Sequence, residues 1–211
     1  MNGAAPTAIK PRHLSAATRP FAPAIDAARQ QLCAIPESPR VRVQHVGALM
    51  AWTPMLHHDK ARLVAEFGCV TTALWLAREL RSHRVALRAD DAVVEIFEPQ
   101  QILRRYGYRD GRWVFAPGTQ AGIGIARGAI HGSAQLSRAG LRISCPSSAA
   151  MLTLVAVLGR LEVDARASDV TQRVLVSQAE VSKLLVRLGI PDIAAHYGRL
   201  LANDLEGSSP S

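Results

Sequence analysis

Apolar positions along the chain first recur at helical spacing in residues 22–35, APAIDAARQQLCAI. Ile25, Ala28, Leu32 and Ile35 fall on one face, and Pro36 and Pro39 then stop the run. This predicts a short helix and linker over 22–40. Residues 1–21 show no such pattern. They are rich in Ala, Pro, Thr and Ser, and they predict a disordered basic arm carrying Lys10, Arg12 and Arg19. The final stretch, 191–211, predicts one helix and a flexible tail, the helix being the remnant of a linker.

Between these ends the pattern is written twice. The first copy reads VGALMAWTPML, KARLVAEF, CVTTALWLARELRSHRVALRA, DAVVEIF and EPQQILRRYGY. The second reads GIARGAIHGSAQL, AGLRISC, PSSAAMLTLVAVLGRLEVDARA, QRVLVS and QAEVSKLLVRLGI. Each copy runs small-residue helix, strand, helix, strand, strand, helix, at an offset of about eighty residues. The long helices open at N-cap-type residues, Thr71-Thr72 and Ser147-Ser148. Ala73, Leu76, Ala77 and Leu80 make one apolar face; Leu154, Val157, Leu158 and Leu161 make the other. Val93, Val94, Ile96 and Phe97, like Val174, Leu175 and Val176, are strand formers. Residues 109–112, Arg-Asp-Gly-Arg, form a turn signal between the copies. The expected units are therefore repeat 1 over 41–115 and repeat 2 over 116–190.

Small residues crowd the head of each copy: Gly47 and Ala48 in the first, Ala126, Gly128, Ala129 and Gly132 in the second. Two such helices can pack backbone to backbone about a pseudo-twofold seam, because only small side chains permit that approach.

Composition narrows the partner. A formal charge of +8 and a pI near 10.2 favour an acidic partner, nucleic acid before anionic membrane. The three cysteines, Cys33, Cys69 and Cys145, are scattered and odd in number, which argues against zinc and against a disulfide framework and fits a reducing cytoplasm. No apolar run is long enough to span a membrane, and the first twenty residues lack a signal-peptide core.

The element order resembles the LAGLIDADG fold, an α+β architecture of two α-β-β-α-β-β-α repeats packed about a seam. More narrowly, IDAARQQLCAIP, VGALMAWTPML, GIARGAIHGSAQL, LRISCPSSAA and VLVSQAEVSKLLVRLGI resemble the LAGLIDADG-like region of the WhiA family of bacterial regulators, over roughly residues 22–205. The resemblance implies a non-catalytic, DNA-associated, nucleoid-localised regulator of transcription, linked in the family to sporulation and cell division. Homing endonucleases of this fold keep an acidic residue at the foot of each seam helix to hold the metal that activates water. Here the second foot carries His131, and residues 46–56 hold no Asp or Glu. The expectation is no catalytic residue, no metal and no cofactor. WhiA proteins continue into a helix-turn-helix domain; this sequence ends about twenty residues after the second repeat, so that domain is expected to be absent. A partner protein supplying sequence recognition is then a second expectation.

Other constellations read as structural. His57-His58-Asp59 reads as a polar turn between helix and strand. Gly122, Gly124 and Gly128 miss the dinucleotide spacing by one and lack its acidic residue. Ser133 and Ser144 have no nucleophile-elbow context. Trp52, Trp75 and Trp113 read as core or seam. The candidate DNA contacts are the arm residues Lys10, Arg12 and Arg19, together with Arg84, Arg88, Arg138, Arg142, Arg166 and Arg173 on or beside strands. Beside a DNA-binding regulator stands a protein-interaction module on the same scaffold; an active endonuclease comes third.

Overall fold

A computed structural model describes residues 19–206. Helix α1 (Ala22–Ala34) precedes the first repeat, which runs α2 (Pro39–Trp52), β1 (Met55–His58), β2 (Arg62–Glu66), α3 (Val70–Leu80), β3 (Val85–Arg88), β4 (Val93–Phe97) and α4 (Pro99–Leu103). A short ribbon, β5 (Tyr108–Arg109) and β6 (Arg112–Trp113), leads into the second. That repeat runs α5 (Thr119–Ser133), β7 (Ala134–Ser137), β8 (Gly140–Ser144), α6 (Ser148–Arg160), β9 (Ala165–Ser168), β10 (Arg173–Ser177) and α7 (Gln178–Arg187), and α8 (Pro191–Glu206) follows. This is the expected α+β, LAGLIDADG-like fold of two α-β-β-α-β-β-α repeats.

The duplication extends to strand order and backbone. Both sheets are antiparallel, ordered β1-β2-β4-β3 and β7-β8-β10-β9. Left-handed residues recur at matching places: Arg81 and Glu162 after the long helices, Ala92 and Gln172 before the last strands, Gly107 and Gly189 after the closing helices. Even the seam helices end alike, with Thr53 Oγ1 donating to the Leu49 carbonyl and Ser133 Oγ to that of Ala129.

Each repeat buries its own core. Val46, Leu49 and Met50 of α2 pack with Leu63, Trp75, Leu76, Val94 and Ile96; Ile125, Ala129 and Ile130 of α5 pack with Leu136, Ile143, Leu154, Leu158 and Val176. The apolar side of each sheet meets its helices and the other side is left open, the alternation expected of a half-covered antiparallel sheet.

Several local expectations need correction. The arm does not reach residue 21: Arg19–Phe21 forms a 3-10 turn, and Phe21 is buried against the Tyr197 ring. Helix α8 is no loose linker, because Tyr197 is fully buried and its hydroxyl donates to the Ser137 carbonyl. Burial pushes that hydroxyl's pKa up to about 12. Cys69, not Thr71 or Thr72, stands at the N-cap of α3, while Ser147 caps α6 by accepting from the Ala150 amide. Residues 57–59 close the β1–β2 hairpin rather than joining a helix to a strand. There Asp59 accepts from the amides of Ala61 and Arg62 and pairs with His57, and these bonds, led by the Arg62 amide, hold its carboxyl below the usual range.

Candidate nucleic-acid interface and the polar seam

The seam is made by a glycine line on α5. A Cβ on Gly128 would come within 2.5 Å of the His45 carbonyl oxygen and the Leu49 amide nitrogen, and within 2.6 Å of Ala48 Cβ. One on Gly124 would strike the Val41 carbonyl and Gln44 Cβ, and one on Gly132 would press on Leu49 and Trp52 backbone at 3.2 Å. The contacts advance together along both helices, so α2 and α5 run in the same direction. Gly47 is not part of this line: its Cβ would strike the Tyr106 carbonyl, so it seats the end of repeat 1 on α2. Ala126 is fully buried but lies about 160° around α5 from Gly128 at 100° per residue, on the side away from α2. Ala129, also fully buried, flanks the line.

A buried polar chain crosses this seam. Glu37, just before α2, has a side chain only 1% exposed. Its Oε1 lies 2.9 Å from His45 Nδ1 and 2.7 Å from an Arg127 guanidinium nitrogen. Oε2 lies 3.2 Å from Arg42 Nε, an ion-pair contact without hydrogen-bond alignment. His45 Nε2 meets His131 Nδ1 at 3.1 Å, and His131 Nε2 meets Thr72 Oγ1 at 2.8 Å. Burial opposes ionisation of Glu37, yet its bonds to His45 and Arg127 prevail and hold its pKa below the usual value. Burial, with the charges of His45 and Arg29, holds the His131 pKa well below the ordinary range. An ionised Glu37 fixes the first bond: His45 donates to it through Nδ1, and His131 joins His45 and Thr72 through its two ring nitrogens.

This arrangement is poor in reactive groups. Cys33 Sγ lies 3.7 Å from His131 Nε2, but burial drives its thiol up to about 12, far from the thiolate that nucleophilic chemistry needs. His45 and His131 are 0% and 2% exposed. Neither seam helix carries a carboxylate. Among the described residues no three of His, Cys, Asp and Glu gather as a metal-holding group.

The two open sheet faces differ. On the first, Glu95 sits centrally and binds both Arg62, at 2.9 Å, and Arg88, at 3.4 Å; Arg88 also approaches Asp91. Arg84 lies just before β3, not on it, and is held by Glu98 and Gln101. On the second, Arg142 pairs across the ladder with Leu175, and Leu175 with Arg166, so all three share a face. Arg173, two residues from Leu175, shares it too. None of the four strands of this sheet contains Asp or Glu, and none of these three arginines has a carboxylate partner among the described residues. Arg142 Nε is buried with no hydrogen-bond partner. Arg138 lies in the β7–β8 turn, off the ladder. Lys10 and Arg12, and the side chain of Arg19, lie outside the described residues.

No protein-family model matches the chain, and no curated protein matches it by sequence. The fold does match solved structures. Full-length DUF199/WhiA from Thermatoga maritima superposes with a TM-score of 0.61 at 13% identity, over 85% of this chain. The chain spans 66% of the length of that protein. The N-terminal LAGLIDADG domain of DUF199/WhiA superposes with a TM-score of 0.56 at 13% identity, over 79% of this chain and 89% of the domain. The likeness establishes the LAGLIDADG-type fold.

Proposed function

We propose that the protein is a non-catalytic, DNA-associated regulator of the WhiA type, and that it meets duplex DNA through the open face of its second sheet. The observation that carries this reading is the acid-free face bearing Arg142, Arg166 and Arg173. Guanidinium groups without carboxylate partners among the described residues are available for bidentate contacts to phosphate oxygens. The corresponding arginines of the first sheet are already neutralised by Glu95 and Glu98. Phosphate contacts give affinity and orientation without sequence information, so binding is weakly selective. The basic residues of the amino-terminal segment, Lys10, Arg12 and Arg19, add to the attraction, and the place of action is the cytoplasmic nucleoid.

The seam supports a non-catalytic role. Where an endonuclease of this fold needs carboxylates for metal, this chain puts a neutral, buried His131 bonded to His45 and Thr72. Control of transcription, rather than DNA association alone, is the role the resemblance to WhiA proteins implies.

Fluorescence anisotropy on unrelated duplexes, over a range of salt concentrations, tests the reading. Counterion release makes the logarithm of the binding constant fall linearly with the logarithm of salt, at about 0.9 per phosphate neutralised. Absence of binding at low salt overturns DNA association. A preference of about a thousandfold for one duplex, the scale of specific recognition, overturns weak selectivity.

A further inference from the structure

The chain fills two equivalent places differently. At the offset of about eighty residues, 102–115, with the β5–β6 ribbon, stand where α1 stands in the other half. The arginine of α1 is fully engaged: Arg29 pairs with Asp26 at 2.7 Å and donates to the His131 and Ala134 carbonyls. The ribbon presents arginines that are not. Residues 104–112 hold four arginines and one aspartate. Arg105 donates to the Glu79 and Leu80 carbonyls. Arg104, Arg109 and Arg112 are exposed, and none has a carboxylate partner among the described residues.

The ribbon forces two of these charges together. Asp110 and Gly111 both have positive φ, 50° and 77°, so a two-residue turn of the Asp-Gly type closes the hairpin. Its register sets Tyr108 opposite Trp113 and Arg109 opposite Arg112. The two aromatic rings lie 4.9 Å apart on the inner side, with Tyr108 buried. Alternation then puts both guanidinium groups on the outer side. Like charges directly opposite each other are destabilising. A slip of one residue would separate them only by turning the aromatic pair outwards. Arg104 stands beside this pair, lining one hollow with Arg109, Tyr108 and Asp110.

The ribbon also adjoins the second sheet. Arg173 pairs across the ladder with Ser144. Two residues on, Pro146 and Ser147 share the walls of one cleft with Arg112. Arginines without carboxylate partners among the described residues therefore run from Arg166, Arg142 and Arg173 past the start of α6 to Arg112, Arg109 and Arg104. A track of this kind complements the closely spaced charges of a nucleic-acid backbone.

We propose that the β5–β6 ribbon is a second phosphate-binding surface, holding the backbone of duplex DNA where it leaves the second sheet. The proposal rests on the reading that the second sheet meets DNA. Phosphate oxygens between Arg109 and Arg112 accept from both and offset their repulsion. The contact adds affinity and orientation but no sequence information.

The test is fluorescence anisotropy of the full chain on a labelled duplex at several salt concentrations, with thermal melting of each variant. Arg109→Gln/Arg112→Gln should lower the salt slope by about 0.9 for each phosphate no longer neutralised, yet melt at or above the wild-type temperature. Arg109→Glu, which pairs with Arg112, should melt higher and bind more weakly still. Arg160→Gln/Arg199→Gln removes the same charge from the far end of α6 and from α8, and should leave the slope nearly unchanged. An equal fall in that control shows an effect of net charge alone and overturns the proposal. A ribbon variant that melts below wild type and binds weakly gives the arginines a structural role and overturns it too. A slope untouched by the ribbon variant but lowered by Arg142→Ala/Arg166→Ala/Arg173→Ala overturns the ribbon contact and leaves the second-sheet reading standing. No binding by the wild type at low salt overturns both.

Discussion

His45 and His131 face each other across the seam, Nε2 to Nδ1 at 3.1 Å, with neither ring reaching solvent. The contact joins the two repeats by a directional bond where the helix backbones are also closest. It makes the seam sensitive to protons. If His131 is protonated, a second positive charge is buried beside Arg29.

The stability of the fold should therefore depend on pH. The folded-state pKa of His131 is depressed, so between that value and about 6.5 the unfolded chain binds the extra proton. The stabilisation is fully present above pH 6.5 and is lost as pH falls towards the folded value. Glu37, also depressed, adds a loss of the same sign only below its unfolded value of about 4.5. Urea unfolding at about pH 8, 6.5 and 5.5 should show a decline below 6.5 approaching about 1.4 kcal/mol per pH unit for one proton. His131→Gln should flatten that segment. An equal slope in wild type and variant would remove His131 from the account.

The glycines should divide by what surrounds them. Gly128→Ala puts a methyl group 2.5 Å from backbone atoms of α2 and should cost at least about 1–3 kcal/mol as overpacking. Gly128→Leu should cost more. Gly159, in α6, has nothing within 4 Å of the place an added methyl group would take, and Gly159→Ala should stabilise by about 0.5–1 kcal/mol through helix propensity. Thermal melts of the variants decide it, and equal melting temperatures for Gly128→Ala and Gly159→Ala contradict the seam geometry.

Glu37→Ala leaves the His45 Nδ1, in a ring 0% exposed, without its acceptor, and the Arg127 guanidinium, 9% exposed, without its carboxylate, with the Leu188 carbonyl remaining. Removing one member of a buried ion pair costs about 3–5 kcal/mol. Surface pairs such as Arg187–Glu162 should be worth less than about 1 kcal/mol. Chemical denaturation of Glu37→Ala and Glu162→Ala measures the contrast, and similar losses would contradict the buried role given to Glu37.

Plasmid DNA incubated with the protein and magnesium or manganese should remain supercoiled. Nicking that persists through repurification and disappears in His131→Ala would show that the seam foot retains chemistry without carboxylates.

The repeat is legible in the sequence because its signals are local. Apolar faces such as Leu76 with Leu80, and the β-branched runs at 93–97 and 173–177, report their own conformation. What escapes the sequence depends on distance or on the partner. Strands β1 and β7 read as helix ends, because four residues after Pro54 or Ser133 are too few for a period of two to emerge. The small residues announce a close approach, but helical phase decides which face receives it: Gly47 turns to Tyr106, Ala126 to the core, while Gly124 joins the line. Glu37 carries no motif and Thr72 reads only as a helix-capping type, since their partners lie on other elements. The arginines look alike until the ladders place Glu95 beside Arg62 and Arg88, with no counterpart among the described residues beside Arg142, Arg166 and Arg173. Arg84 fails as a free contact for the same reason, being held by Glu98 and Gln101.

The most direct measurement compares the salt dependence of duplex binding in two variants of opposite sheets. Arg142→Ala/Arg166→Ala/Arg173→Ala should lower the salt slope by about 0.9 for each phosphate that is no longer neutralised, and should weaken all sequences alike. Arg62→Ala/Arg88→Ala should leave the slope nearly unchanged, because Glu95 already holds those groups. Equal effects of the two variants, or a slope untouched by the second-sheet change, would contradict the assignment of DNA association to that face.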